Sequence, residues 1–181
     1  MQYLDGSTPD IQTYSSFQTC VAEGDDLLRK LAIKAGNALT EVFLVPLTKN
    51  EICFRPGAKC YKHPWRQEHA EVWKHVWHHV FDHKLRAKVK GTEEIVYMTF
   101  TKGIATLEPG RPLETEPGLR SVVIPIGESE TVFNILSAKG EVCRDLPWHP
   151  GLYYILEPEV SIYSDKINIT GLVITAERNP S

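Results

Sequence analysis

The sequence predicts an α+β fold, with helices in its first half packed on a mainly antiparallel β-barrel or jelly roll in its second. Three observations predict it. Apolar residues recur at helical spacing over 27–39 and again over 64–86. From Glu93 onward the period changes to two. The strand-like runs EEIVYMTF, GIATL, RSVVIPI, TVFNIL, EVC, LYYILE, EVSIY and INITGLVIT are separated by EPGRP, EPG, GESE, AKG, WHPG and SDK, with no helical segment between them. Short strands joined in this way bury their apolar faces by packing sheet on sheet or by closing on themselves.

The elements follow in order. Residues 1–22 are polar and turn-rich and read as an irregular lead-in. Asp25 or Asp26 is placed to cap a helix carrying Leu27, Leu28, Leu31, Ala32, Ala35 and Leu39 on one face. EVFLVPL and EICF read as two extended segments, and Pro46 puts the first at a sheet edge or a bulge. FRPGAKCYKHP reads as a connection around a Pro56-Gly57 turn. Pro64 then opens the strongest helix, whose stripe of Val72, Trp73, Val76, Trp77, Val80 and Phe81 suits packing on the outer face of a sheet. At 181 residues the chain fits one domain: the lead-in, a mainly helical part over 23–92 with two short strands, and a β-rich core over 93–176.

Lys+Arg 20 against Asp+Glu 23 gives a net charge of -3, which lacks the positive field that gathers nucleic acid. No apolar run approaches a bilayer-spanning length, and the N-terminal residues lack a basic segment followed by an apolar one, so a cytoplasmic protein is expected. Cys20, Cys53, Cys60 and Cys143 form no CxxC pair and read as free thiols.

Several residues are candidates for chemistry. His75, His79 and His83 recur every four residues, and two imidazoles one turn apart can share a divalent ion such as iron or zinc. All three cannot, because eight residues of helix rise about 12 Å. His75 and His79 are therefore the metal candidates on the helix, with Glu71 and Asp82 beside the histidine run. Glu108, Glu114 and Glu116 lie in a Pro/Gly-rich segment, and an extended backbone puts Glu114 and Glu116 on one side, as a cation site or an acid/base pair requires. His149, in the turn Trp148-His149-Pro150-Gly151, stands at the entrance to an aromatic strand. Tyr97 and Tyr153 suit the lining of a ligand cavity, and Arg120 suits a carboxylate. Each also has a plain reading as surface, turn or core.

The stretches GRPLETEPGLRSVVIPI, LPWHPGLYYILEP and EVSIYSDKINITGLVI, within residues 93–176, resemble in order and spacing the double-stranded β-helix of cupins and 2-oxoglutarate oxygenases. That resemblance implies an eight-stranded jelly roll and, in the oxygenases, an iron site built from His-x-Asp/Glu and a later histidine. Here the first motif reads Glu114-Thr115-Glu116, and the later region offers Ser161, Tyr163 and Ser164. The β half has no His-x-His pair.

No glycine-rich phosphate loop, GxGxxG or GxSxG occurs. The expected function is a non-catalytic module that binds a protein partner or small molecule, as part of a homo-oligomer. The alternative is a metal-dependent cupin- or oxygenase-like enzyme with a displaced site.

Overall fold

Two antiparallel sheets face one another, and two helices cover the outer face of the larger. The computed structural model describes residues 12–14, 19–40, 42–46, 53–80, 97–115 and 117–178, with side chains over 24–40, 42–46, 53–77, 101–115 and 117–175. The chain runs β1 (Gln12–Tyr14), β2 (Thr19–Glu23), α1 (Asp26–Asn37), β3 (Phe43–Val45), β4 (Cys60–His63), α2 (Gln67–Val80) and β5 (Tyr97–Leu107). It continues through β6 (Leu113–Glu114), β7 (Arg120–Pro125), β8 (Thr131–Leu136), β9 (Val142–Trp148), β10 (Leu152–Leu156), β11 (Ser161–Tyr163) and β12 (Ile169–Arg178).

The large sheet has the order β1-β2-β10-β7-β12-β5-β4-β3, and the small one β6-β11-β8-β9. From β5 onward the chain changes sheet at every step except the β8–β9 hairpin, which is the winding of a jelly roll. Among the described residues no ladder joins the two sheets, and the strands make the two-sheet, jelly-roll form of the expected fold.

Two cores result. The first fills the space between the sheets, with Phe133, Ile135, Leu146, Trp148, Tyr154, Leu156 and Ile162 among its members. The second lies between the helices and the large sheet. Leu28, Ala32 and Ala35 from α1 and Val72 and Val76 from α2 meet Val122, Ile124, Leu172 and Ile174 there, with Trp73 and Trp77 packed alongside. Burying one such Leu, Val or Ile stabilises by roughly 1.5–3 kcal/mol. Asp25 caps α1 by accepting from Leu28 N at 2.8 Å, and Gly127 N donates to Ala32 O at 3.0 Å, tying α1 to the loop after β7.

Several boundaries differ from those expected. The lead-in contains β1 and β2, and β2 extends the large sheet by pairing with β10 from Leu152↔Glu23 to Ile155↔Cys20. That long-range partner supplies order that the polar local sequence does not signal. The connection before the second helix contains β4, whose alternation is blurred by Lys59 and Lys62 but which pairs with β5. The two expected strands around Lys102-Gly103 are one, because β12 pairs continuously past them through Val173↔Gly103 and Ile174↔Lys102. β9 runs on through Pro147, which is tolerated because β9 is the edge of its sheet. Cys53 and Phe54 of the expected EICF strand are in no strand, and Glu51 and Ile52 lie outside the described residues, as do 81–86 of the second helix.

Candidate functional site

The interior between the sheets is the first place to seek a site in this architecture, and side chains fill it. Trp148, at the end of β9, is 2% exposed. It meets Phe133 edge-on at 5.0 Å between ring centroids and stacks parallel to Tyr154 at 6.5 Å. The Tyr154 hydroxyl donates to Pro147 O, so the polar atom on this aromatic core has its partner. Opposite the indole lies Gly171 of β12, where an added Cβ would stand 3.1 Å from two indole carbons and 3.1 Å from Ile124 O. Ala105, Leu107, Leu113, Val123, Ile162, Ile169 and Val173 line a space of about 10 Å³ beside it. That is at the limit for one water molecule, and no polar side chain among these residues would hold one.

The positions to which the oxygenase resemblance directs attention bear on this directly. β6 and β11 pair through Ser161↔Glu114 and Ile162↔Leu113. The members of these pairs that line the interior are Leu113 and Ile162, while Glu114 is exposed. Thr115 is buried and spent locally: its hydroxyl donates to Val160 O at 3.0 Å and accepts from Val160 N at 2.9 Å. Apolar carbon offers no metal ligand, so the residues facing this interior do not fit an iron ion. Among the described residues no group of three or more His, Cys, Asp or Glu side chains is placed to hold a metal.

A groove of about 320 Å³ opens outside the sandwich, lined by Arg55, Pro56, Gly57, Ala58, Glu108, Pro109 and Asn168. One wall is a turn closed by Ala58 N donating to Arg55 O at 3.1 Å, with Gly57 at φ +80, a value that glycine adopts without strain. The Cys53 thiol donates to Arg55 O at 3.0 Å, and Phe54 N donates to Gly110 O at 2.8 Å, fastening this wall to the facing loop. The other wall carries Glu108, whose two carboxylate oxygens accept from Lys59 N and the Tyr61 hydroxyl, each at 2.9 Å. That hydrogen bond is the main reason the Tyr61 phenol titrates above its ordinary value of 10.0. The groove therefore presents a pre-positioned carboxylate, an exposed guanidinium and the exposed amide of Asn168.

The expected site residues are dispersed. His75 bonds through Nε2 to Asp25 Oδ1 at 2.9 Å, across the α1–α2 seam. The side chain of His79 lies outside the described residues, as do the Tyr97 side chain and Glu116. Glu114 belongs to the small sheet, whereas His75 belongs to the helical layer beyond the large one. His149 donates from Nδ1 to Pro150 O at 3.1 Å, within its own turn. Arg120 forms a two-point contact with Glu157, Nη2 to Oε1 at 2.9 Å and Nε to Oε2 at 3.3 Å. Tyr153 is 3% exposed and faces the helices, not the space between the sheets. His149 and the Arg120–Glu157 pair stand at opposite ends of β10. Sequence reasoning marked Glu108 within an acidic segment and Pro56-Gly57 as a turn. It missed their pairing across the groove, because the β4–β5 ladder that joins Cys60 to Leu107 is set by tertiary contact.

No protein-family model matches the chain, and no curated protein matches it in sequence. Its solved structural relatives include a prolyl-4-hydroxylase from Pseudomonas putida at 15% identity, covering 91% of this chain and 95% of that one with a TM-score of 0.51. A prolyl hydroxylase from Trichoplax adhaerens, in complex with a hypoxia inducible factor peptide fragment, matches at 10% identity over 88% of this chain and 82% of that one, with a TM-score of 0.49. A cupin 2 domain-containing protein from Halorhodospira halophila matches at 16% identity over 50% and 72%, with a TM-score of 0.29. At 15% identity the first likeness speaks to fold alone. The chain thus shares the double-stranded β-helix fold of the Pseudomonas putida protein, and among the described residues no metal-binding cluster accompanies it.

Proposed function

We propose that this chain is a non-catalytic recognition module, in which the jelly roll serves as a scaffold and the ligand binds outside it. One observation carries the reading: among the described residues, the space beneath Trp148 and Gly171 between the sheets holds about 10 Å³, whereas the external groove offers about 320 Å³. Small-ligand sites usually begin near the latter size. The groove's chemistry suits a small polar molecule bearing both charges, with a cationic group at Glu108 and an anionic one at Arg55, and Asn168 hydrogen-bonding between them.

The test is a titration of ¹⁵N-labelled protein with glycylglycine, a zwitterion of suitable size. Shifts confined to 55–58, 108–110 and 168, and weakened by Glu108→Gln, are expected. No shift at millimolar peptide, or shifts centred on Trp148 and Gly171 instead, would remove the reading.

Self-association is a second element of the proposal, favoured by the edge of the large sheet. Val42, Phe43 and Leu44 at β3 are 57–61% exposed. The small sheet's β9 edge is guarded by Pro147 and by the left-handed Asp145 at φ 56, whereas on β3 the proline, Pro46, comes only after the last strand residue and leaves Phe43–Val45 free of one. An edge strand can pair antiparallel with its own copy about a twofold axis, so a second copy of this chain is the occupant we assign. Solution mass measurement should give a dimer that Phe43→Lys dissociates; a monomer throughout the micromolar range would contradict it.

A further inference from the structure

His69 sits in the seam between the two helices, 0% exposed, and both of its ring nitrogens are committed. Nε2 donates to Ala35 O in the last turn of α1 at 3.1 Å. Nδ1 accepts from Arg66 N, just before α2, at 2.9 Å. A carbonyl only accepts and an amide N–H only donates, so the geometry requires a neutral ring with its proton on Nε2. An imidazolium would direct a second N–H at the Arg66 amide hydrogen and would lie buried without an acceptor for it.

The seam has other ties. Lys34 Nζ meets Glu71 Oε2 at 2.8 Å on its exposed side. Near the start of α1, His75 Nε2 stands 2.9 Å from Asp25 Oδ1, the oxygen that also caps the helix. The two histidines thus tie opposite ends of one seam: His69 at the end formed by the C-terminus of α1 and the N-terminus of α2, and His75 at the other.

We propose that the α1–α2 cover is an acid-sensitive latch, which opens from the His69 end while the His75–Asp25 end holds. Protonation breaks the Ala35–His69–Arg66 chain of hydrogen bonds and releases the last turn of α1 from α2. Burial already holds the His69 ring below the ordinary histidine value of 6.5. Of the charges facing it, Glu68 favours the protonated ring, while Arg66 and His63 of β4 oppose it. On α1, Lys34 is engaged with Glu71. From β5, Lys102 lies 4.9 Å from the centroid of the Trp65 ring, which itself flanks His69 at 6.0 Å.

Amide hydrogen exchange at pH 7.5 and pH 5, corrected for the intrinsic pH dependence of exchange, tests this on the full chain. Protection at 35–39 and 66–70 should fall by about tenfold or more in acid, the scale of one unit of coupling, while β7, β12 and Leu28 stay protected. Equal protection at both pH values would overturn the latch, as would simultaneous loss in β7 and β12. His69→Gln keeps a donor and an acceptor but cannot titrate in this range, so it should stay protected at pH 5; acid opening that persists in it overturns the assignment. Should that variant fail to fold, ¹H–¹⁵N spectra of the wild-type imidazole decide: the His69 ring must titrate together with the loss of protection, and a ring that stays neutral through the opening excludes it.

Discussion

The two cores of this molecule flank the same sheet and are closed by different physics. Between the sheets, closure is by shape. Trp148, Phe133 and Tyr154 interlock over a glycine, and the one aromatic hydroxyl among them is satisfied by the backbone of Pro147. Under the helices, apolar packing is joined by polar ties at the seam: His69 to Ala35 and Arg66, His75 to Asp25, and Lys34 to Glu71. A core closed by shape is indifferent to pH and intolerant of volume change. A cover held by imidazole hydrogen bonds responds to pH. The contrast teaches that the space between the sheets is closed by interlocked rings, and that the seam holding a titratable tie lies on the opposite face of the large sheet.

Perturbing the indole should have the largest effect. Trp148→Ala is expected to destabilise by about 3–5 kcal/mol, measured by denaturant unfolding. It should also convert the residual space into an apolar cavity that takes up benzene, seen as a stabilising thermal shift absent from the wild type. A loss below about 1 kcal/mol would mean that the indole does not fill the interior as described. Gly171→Ala comes next, at about 1–3 kcal/mol, because its Cβ contacts are backbone and a buried ring that have little room to yield.

Acid should act on the helical core and spare the sandwich. The folded state lowers the affinity of His69 for a proton, so between its folded value and 6.5 the unfolded chain binds more protons and stability rises with pH. The contribution is fully present above 6.5 and is lost as pH falls from there through the folded value. Urea midpoints at pH 7.5, 6.5 and 5.5 should decline in that order, and His69→Gln should flatten the His69 share of the slope. The smallest expected effect is at Arg120–Glu157, which is 32% and 21% exposed and lies away from both cores. Glu157→Gln should cost about 1 kcal/mol or less at low salt and less still at high salt, by the same unfolding assay.

The β half was largely legible because alternation and Pro/Gly turns are local signals. RSVVIPI became β7, TVFNIL β8 and LYYILE β10 with little adjustment. Of the strands that escaped notice, β1, β2, β4 and β6, two owe their order to long-range partners: Val21 of β2 pairs with Tyr154 and Tyr61 of β4 with Thr106. The residues with chemistry to offer were harder to place from sequence, since spacing reveals which residues share an element and not what the element meets. Nothing in QEHAEVWKHVWHHVFDH says that His75 reaches the cap of another helix, or that His69 bonds to the last turn of α1. Trp148 read as part of a turn because Pro147 and Pro150 flank it, yet it ends a strand and fills the interior.

Elemental analysis of untagged protein after equilibration with iron(II) and zinc, on the wild type and on Glu114→Ala, tests the central claim most directly. The account predicts the same metal content in both, because Leu113 and Ile162 and not Glu114 line the interior. One equivalent of metal in the wild type that disappears in the variant would contradict it and would place a metal centre at the β6–β11 pair after all.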